Sequence, residues 1–220
     1  MFQRISRAAA LFTALTFAIG SAAETVSPKP QGAEVAFVTA IQKDLGTRFA
    51  TIAEAEKAGY FRYTNEDSTG AISYANLQWT SADAQHPSQL WYSVKGKLLG
   101  ADFSVLKADS PKQPSLWGIN PARWDDFGAH MHWVIVVDGK ESYGATSVKK
   151  FTAAGGDTAD PQAATLVKMG VVKDAAQVKR IFEFPSIWDL IVWITPNPDG
   201  AFAEKNPLVT PSAGAKSDDM

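Results

Sequence analysis

The sequence predicts a single α+β domain at residues 33–205, with a mainly antiparallel sheet flanked by a few helices. Three observations predict this fold class. Apolar residues recur at helical spacing after residue 33, short runs rich in Tyr, Trp, Val and Leu follow from residue 72, and a nearly continuous apolar run fills residues 187–194. Because helices and strands come in blocks and do not alternate one by one, we expect the strands to pair antiparallel.

The helical part of the domain begins with a stripe of apolar residues spaced by three or four positions between residues 35 and 45. This spacing places them on one side of a helix. A second short helix is predicted next, because Thr51 and Glu54 have the spacing of a capping box. Gly59 can adopt the left-handed conformation that ends a helix, so we expect this helix to stop there.

The strand-forming part of the domain consists of short runs separated by Gly, Asp and Pro. Lys95-Gly96 and Asp138-Gly139 are candidate hairpin turns, and the second is the stronger because both positions of a type I′ turn need a positive φ. The run at 187–194 is apolar on both faces, which is typical of a central strand. The other predicted strands are residues 72–79, 89–94, 97–105 and 129–137.

A third helix is predicted after the polar loop that follows the hairpin. Asp160 is the expected N-cap, Pro161 the first helical residue, and Gly170 the residue just past the end at Met169. We also expect a further helical turn or two around residues 175–181.

The first residues are typical of a secretory signal peptide. Arg4 and Arg7 precede an apolar run at 8–19 and a stretch of small residues at 20–23, which predicts cleavage after Ala23. The apolar run is shorter than the roughly 20 residues that a membrane span needs. We therefore expect a soluble protein in the periplasm or outside the cell, with a flexible leader at 24–32 and a disordered tail at 206–220.

The composition excludes several functions. The net charge is −2 and no basic run is present, so the chain lacks the electrostatic signature of a nucleic-acid-binding protein. The chain has no cysteine, which rules out disulfides and a lipid-carrying cysteine. It also lacks a phosphate-binding glycine loop, a G-x-S-x-G motif and an H-E-x-x-H motif.

The C-terminal sequence carries a resemblance. It reads W-x-L-x-V-W over residues 188–193 and N-P-x-G-x-F-x-x-x-N-P over residues 197–207. This motif resembles a family of uncharacterised secreted bacterial proteins, for which no activity is established. The similarity extends weakly to residues 58–60, 90–92, 98–103 and 114–118. The chain departs from the family pattern at Ile191 and Thr210, where the family has histidine and cysteine, so the resemblance implies export and a shared fold and adds no chemistry.

Two of the three histidines stand one residue apart in a predicted strand. His130 and His132 therefore project from the same face, roughly 6.5–7 Å apart along the strand. Such a pair can share a transition metal such as zinc or copper, with His86 or Asp126 as the third ligand and Asp125 as another candidate. The alternative is that both histidines lie on a solvated strand face.

Asp189 is a carboxylate within the most apolar run of the chain, and Asp102 lies in a similar setting. A buried, unpaired carboxylate has a raised pKa and can serve as a general acid. The alternative is that Asp189 is exposed at the strand's start or accepts a backbone hydrogen bond.

The tryptophans suggest a different function. Trp117 and Trp124 lie in a segment without an obvious strand, so we expect them to be exposed and able to bind an apolar or carbohydrate ligand, with Arg123 beside them. The alternative is that they cover one end of the core. A structural or partner-binding role is the third hypothesis. We expect binding in place of catalysis, because no nucleophile accompanies the histidines.

Overall fold

The computed structural model describes residues 27–215, so the predicted signal peptide lies outside the described residues. Its order of elements is helices, strands, helices and strands, as the sequence predicts. The α-helices are α1 (Ala33–Arg48), α2 (Ile52–Lys57), α3 (Val148–Ala153) and α4 (Ala163–Lys168). The strands are β1 (Phe61–Arg62), β2 (Ile72–Ala75), β3 (Gln89–Tyr92), β4 (Leu98–Leu106), β5 (Asp125–Phe127), β6 (His130–Val137), β7 (Lys140–Ser147), β8 (Val178–Phe184) and β9 (Ile187–Trp193).

The strands form two antiparallel sheets. The large sheet has the order β1-β2-β3-β4-β9-β5, and the small sheet has the order β7-β6-β8. The predicted α+β class is confirmed. The predicted central strand at 187–194 is also confirmed, because β9 pairs with β4 on one side and with β5 on the other.

The N-terminal helices cover one face of the large sheet. The apolar stripe of α1 packs against residues that alternate along the strands, including Leu90, Tyr92 and Phe103. The capping box is present, since the Thr51 side chain accepts from the Glu54 amide and the Glu54 side chain accepts from the Thr51 amide. Helix α2 ends at Lys57, and Gly59, whose φ is 92°, leads the chain into β1.

The small sheet carries the second helical layer. Met131, Trp133 and Ile135 of β6 point to one face and pack against Phe151 of α3 and Leu166 of α4. The turn between β6 and β7 has positive φ at Asp138 and Gly139, of 51° and 74°, as a type I′ hairpin requires.

The sheet faces that the helices do not cover pack against each other. Tyr63, Ala75 and Ile187, on the large-sheet side, pack against Phe182 and Phe184 of β8. The molecule is thus layered as helices, large sheet, small sheet and helices. This arrangement leaves an inner space between the sheets, to which the candidate site belongs.

Two predicted helical boundaries are wrong. Residues 175–177 do form a short 3-10 helix capped by Asp174, but strand β8 begins at Val178 because small-sheet pairing with β6 overrides the weak helical signal. Helix α4 begins at Ala163 with Gln162 as its N-cap, and the predicted start at Pro161 with Asp160 as cap is too early.

The flanking segments also differ from their prediction where the structure describes them. Pro28 accepts a backbone hydrogen bond from Phe202, so residues 27–32 pack on the domain and are not a free leader. Residues 206–215 of the predicted tail are likewise part of the fold, because Asn206 is buried and Ser212 donates to Glu66. Within residues 27–215, the longest helices fall short of the length and apolarity that crossing a membrane requires.

Candidate functional site

A cavity of about 600 Å³ lies between the two sheets. We call it the intersheet cavity. One wall is the large sheet, the other is the small sheet, and the segment at residues 204–205 lies at its edge. Its lining residues include Tyr63, Glu66, Asp67, Ser73, Gln89, Trp91, Asp102, Phe127, His130, His132, Ala145, Phe184, Asp189, Ile191, Glu204 and Lys205.

Two buried carboxyl groups stand on the large-sheet wall. In the β4–β9 ladder, Asp102 lies opposite Ile191 and Ser104 lies opposite Asp189. The two aspartates are therefore diagonal neighbours on the same face of the sheet. Each is only 4% exposed. The alternation of β4 directs Ala101 and Phe103 to the helices, and this leaves Asp102 on the cavity side.

Neutral donors hold the two carboxyl groups in place. The Trp91 indole Nε1 donates to Asp102 Oδ2 at 2.7 Å, and the Ser104 hydroxyl donates to Asp189 Oδ1 at 2.8 Å. Among the described residues, no donor reaches the buried Asp102 Oδ1. No described ion pair includes either aspartate. A proton on the pair can supply the missing donor.

Burial raises the pKa of both carboxyl groups. The pKa of Asp102 is well above its usual range because burial and the nearby charge of Asp189 disfavour its ionised form. Burial raises the pKa of Asp189 to about 7, although hydrogen bonds from Ser104 and Asp102 oppose that shift. The two groups interact directly, so they titrate as a pair that retains a proton near neutral pH.

A glycine lets the tryptophan reach the pair. Trp91 lies opposite Gly100 across the β3–β4 ladder. A Cβ on Gly100 would stand 2.5 Å from the indole ring and 3.0 Å from the Val192 carbonyl oxygen. Only a residue without a side chain allows the indole to lie across β4 and donate to Asp102.

The histidines stand on the opposite wall of the cavity. The ring centroids of His130 and His132 are 4.8 Å apart. His130 stacks on Phe184 at 5.3 Å and its Nδ1 donates to the Gly128 carbonyl at 2.8 Å, while His132 stacks on Phe182 at 5.6 Å. Burial and the neighbouring His130 lower the pKa of His132 to about 3, so His132 is neutral at physiological pH.

The other predicted metal ligands do not join the histidine pair. His86 bonds to Asp83 at 2.6 Å and packs on Trp79, and Asp126 forms an ion pair with Lys107. Asp125 lies opposite Asp189 in the β5–β9 ladder. Within residues 27–215, no three side chains of His, Asp or Glu come together as a metal-binding group.

The predicted exposure of the tryptophans is wrong for Trp124, which is 1% exposed. Trp117 is partly buried and stacks on Phe37 at 5.2 Å, so both indoles pack on the core beneath α1. Arg123 is also buried, where its guanidinium binds the Glu34 carboxylate at 2.6 Å. The segment that carries these two tryptophans has an irregular backbone, as expected, but its apolar side chains are buried against α1. None of the three residues lines the intersheet cavity.

The cavity lining is acidic. It includes five carboxyl groups, those of Glu66, Asp67, Asp102, Asp189 and Glu204, but Lys205 is its only lysine or arginine. Glu66 accepts from Ser212 and Asp67 accepts from Thr69, which are neutral donors. The local charge is thus negative even with a proton on the aspartate pair.

The structure brings together residues that lie far apart in the sequence. Asp102 and Asp189 were each suspected of a raised pKa, and they share one wall of the cavity that the histidines face. Trp91, Gln89 and Tyr63 were missed, because nothing in their local sequence sets them apart from core aromatic and strand residues. Comparisons with family models, with curated proteins and with solved structures gave no match to this chain.

Proposed function

We propose that this protein binds a small molecule in the intersheet cavity after export from the cytoplasm. The observation that carries the proposal is a cavity whose two walls present converging polar groups, the Asp102–Asp189 pair on one side and the His130–His132 pair on the other. The export part of the proposal rests on the predicted signal peptide at residues 1–23.

The dimensions and lining of the cavity support a small-molecule ligand. Ligand sites usually have volumes of about 300–1,000 Å³ and combine apolar walls with a few placed polar groups. The intersheet cavity falls in this range and its apolar lining comes from Trp91, Phe127, Phe184 and Ile191. Buried carboxyl groups reduce stability, which is typical of sites kept for binding or chemistry.

A transition-metal site at His130 and His132 is the second candidate, and the 4.8 Å ring separation favours it. A metal held there would draw its remaining ligands from water or from a bound molecule, since the described residues bring no third protein ligand to the pair. Zinc and copper suit imidazole ligands, so both ions belong in a binding screen.

The proposal can be tested by thermal denaturation of the mature chain with a library of small molecules, with Zn²⁺ and with Cu²⁺. A ligand at a hundredfold excess over its Kd stabilises by about 2.7 kcal/mol, which raises Tm by about 5–10 °C in a domain of this size. We expect such shifts to disappear in Ala145→Trp, which fills the cavity from β7. Ala176→Trp, on the exposed 3-10 helix, is the matched control and should keep them.

A ligand whose effect is the same in both variants binds elsewhere and contradicts the proposal. A shift produced by Zn²⁺ or Cu²⁺ alone, and lost in a His130→Ala/His132→Ala double variant, would favour the metal site over an organic ligand.

A further inference from the structure

We propose that the ligand is a small organic cation whose ammonium group binds between Asp102 and Asp189. This inference rests on the proposed function and names the chemical class of the ligand. It goes beyond a general binding cavity because it assigns one end of the ligand to one pair of residues.

The cavity carries an excess of negative charge. Five carboxyl groups and one lysine line it. Four of the five accept from neutral donors, which are Ser212, Thr69, Trp91 and Ser104. A cleft lined by one sign of charge concentrates ions of the opposite sign. An anionic ligand would be repelled, whereas a cation would offset charge that the protein leaves unbalanced.

One buried oxygen of the pair has no donor other than the proton that it shares with Asp189. Asp102 is 4% exposed, lines the cavity, and has no donor for Oδ1 among the described residues. Once that proton leaves, the buried acceptor has no donor, which costs about 1–3 kcal/mol unless a ligand supplies one. An ammonium group carries three donors and no acceptor, so it can satisfy Asp102 and Asp189 together.

Binding of the ligand exchanges the proton of the pair for an ammonium group. In the free protein the two carboxyl groups share one proton, because burial raises the pKa of both and the charge of Asp189 raises the pKa of Asp102 further. When R–NH₃⁺ binds, both carboxyl groups become ionised and the bridging proton leaves to the solvent. Charge is balanced, because one positive charge replaces another, and no bond in the ligand is broken.

Other titratable groups surround the pair and set the background for this exchange. Asp125 on β5 and Asp67 before β2 raise the pKa values of Asp189 and Asp102, respectively. His130 and His132 face the pair from β6, and His132 is neutral. Glu66, Glu204 and Lys205 also line the cavity. None of these groups places a fixed positive charge between the two aspartates.

The apolar lining sets the rest of the ligand. Trp91, Phe127 and Phe184 present aromatic rings to the cavity. Such rings attract cations over their faces and also bury apolar groups. We therefore expect an amine that carries an aromatic or aliphatic body, and not a bare inorganic cation.

The test compares three probes of similar shape, which are 2-phenylethylamine, 2-phenylethanol and 3-phenylpropionate. Calorimetric titration of the mature chain at pH 7 should give at least about tenfold tighter binding for the amine than for the alcohol, and none for the carboxylate. Asp102→Asn and Asp189→Asn should each weaken amine binding by about tenfold or more, whereas Asp109→Asn, on an exposed turn outside the cavity, should not.

Proton release gives a second readout that does not depend on a variant folding. Titrations at pH 6 in two buffers of different ionisation enthalpy should show a proton released per amine bound, and amine affinity should fall as the pH falls. Equal affinity for the amine and the alcohol, no measurable amine binding, or amine binding without proton release would each overturn the inference. A neutral or anionic library ligand that Ala145→Trp excludes would do so while leaving the proposed function intact.

Discussion

At the scale of single residues, the buried imidazole of His132 is the clearest determinant of acid stability. It is 6% exposed and packs edge-to-face on Tyr63 at 4.7 Å. Burial lowers its folded pKa to about 3, whereas an unfolded histidine titrates near 6.5. The unfolded state therefore binds more protons between these values, and stability falls as the pH falls through this window.

We predict that His132→Phe removes this acid-dependent loss. The wild-type chain should lose about 2 kcal/mol of unfolding free energy from His132 between pH 7 and pH 5. The variant keeps the ring packing but gives up the hydrogen bond to the Gly144 backbone, so it loses about 1 kcal/mol at every pH. Urea unfolding at pH 7 and pH 5 checks the prediction. The aspartate pair is present in both proteins, so its contribution to the pH dependence cancels in the comparison. If the unfolding free energy changed equally with pH in both proteins, the lowered pKa of His132 would be contradicted.

The sequence predicts one wall of the cavity better than the other. The sequence correctly places His130 and His132 on one strand face, since the period of a strand is local. It could not show that Phe182 and Phe184 of β8 stack on them, because β8 was predicted to be partly helical. The pairing of Asp102 with Asp189 depends on the β4–β9 register, which joins residues far apart in sequence.

At the scale of elements, the contact between β3 and β4 fixes one side of the site. Trp91 reaches Asp102 because Gly100 leaves room for the indole, and the indole also packs on Trp193 at 5.5 Å. The strand therefore uses a glycine to shape the cavity wall and not to make a turn.

We predict that Gly100→Ala destabilises the protein by about 1–3 kcal/mol, since the added methyl group overlaps the ring and the Val192 carbonyl oxygen. It should also shift the tryptophan fluorescence spectrum by moving Trp91. Gly128→Ala is the control, because nothing lies within 4 Å of its Cβ position and its φ is not positive. Guanidinium unfolding of both variants checks the prediction, which fails if the two alanines have equal effects.

The elements that could be predicted are those with a local signal. The capping box at Thr51 and the type I′ turn at Asp138 need only a few neighbouring residues, and both are present. Strand β8 was missed because its pattern is weak over residues 178–181 and its pairing with β6 is decided by tertiary contacts.

At the scale of the whole molecule, the chain divides its strands between two sheets that face each other. Composition and element order predict the α+β class, but not this division, because sheet membership depends on which strands pair. The terminal segments then complete the structure. Arg123 pairs with Glu34 and also donates to the Ser27 and Lys29 carbonyls, so the buried ion pair fixes the segment before α1.

Residues 206–215 are tied to the large sheet in a similar way, although their composition resembles that of a disordered tail. Asn206 donates to the Pro196 carbonyl at 3.0 Å, and Val209 packs against the cluster that contains Trp91 and Trp193. Ser212 donates to the buried Glu66. Low hydrophobicity predicts disorder only when no neighbouring surface offers contacts. Here the domain offers three, which are the Pro196 carbonyl, the tryptophan cluster and Glu66.

We therefore predict that truncation after Lys205 destabilises the protein more than truncation after Ala215, because only the first removes residues 206–215. The shorter chain loses the burial of Val209 and the hydrogen bonds of Asn206, and it leaves the Glu66 carboxylate without Ser212, for a total of about 2–4 kcal/mol. Guanidinium unfolding followed by tryptophan fluorescence gives the midpoints of both chains and of the full-length protein. The contact of Val209 with the cluster around Trp91 means that the shorter chain should also bind cavity ligands more weakly. Equal midpoints for the two truncations would show that the contacts of residues 206–215 contribute no stability and would contradict the prediction.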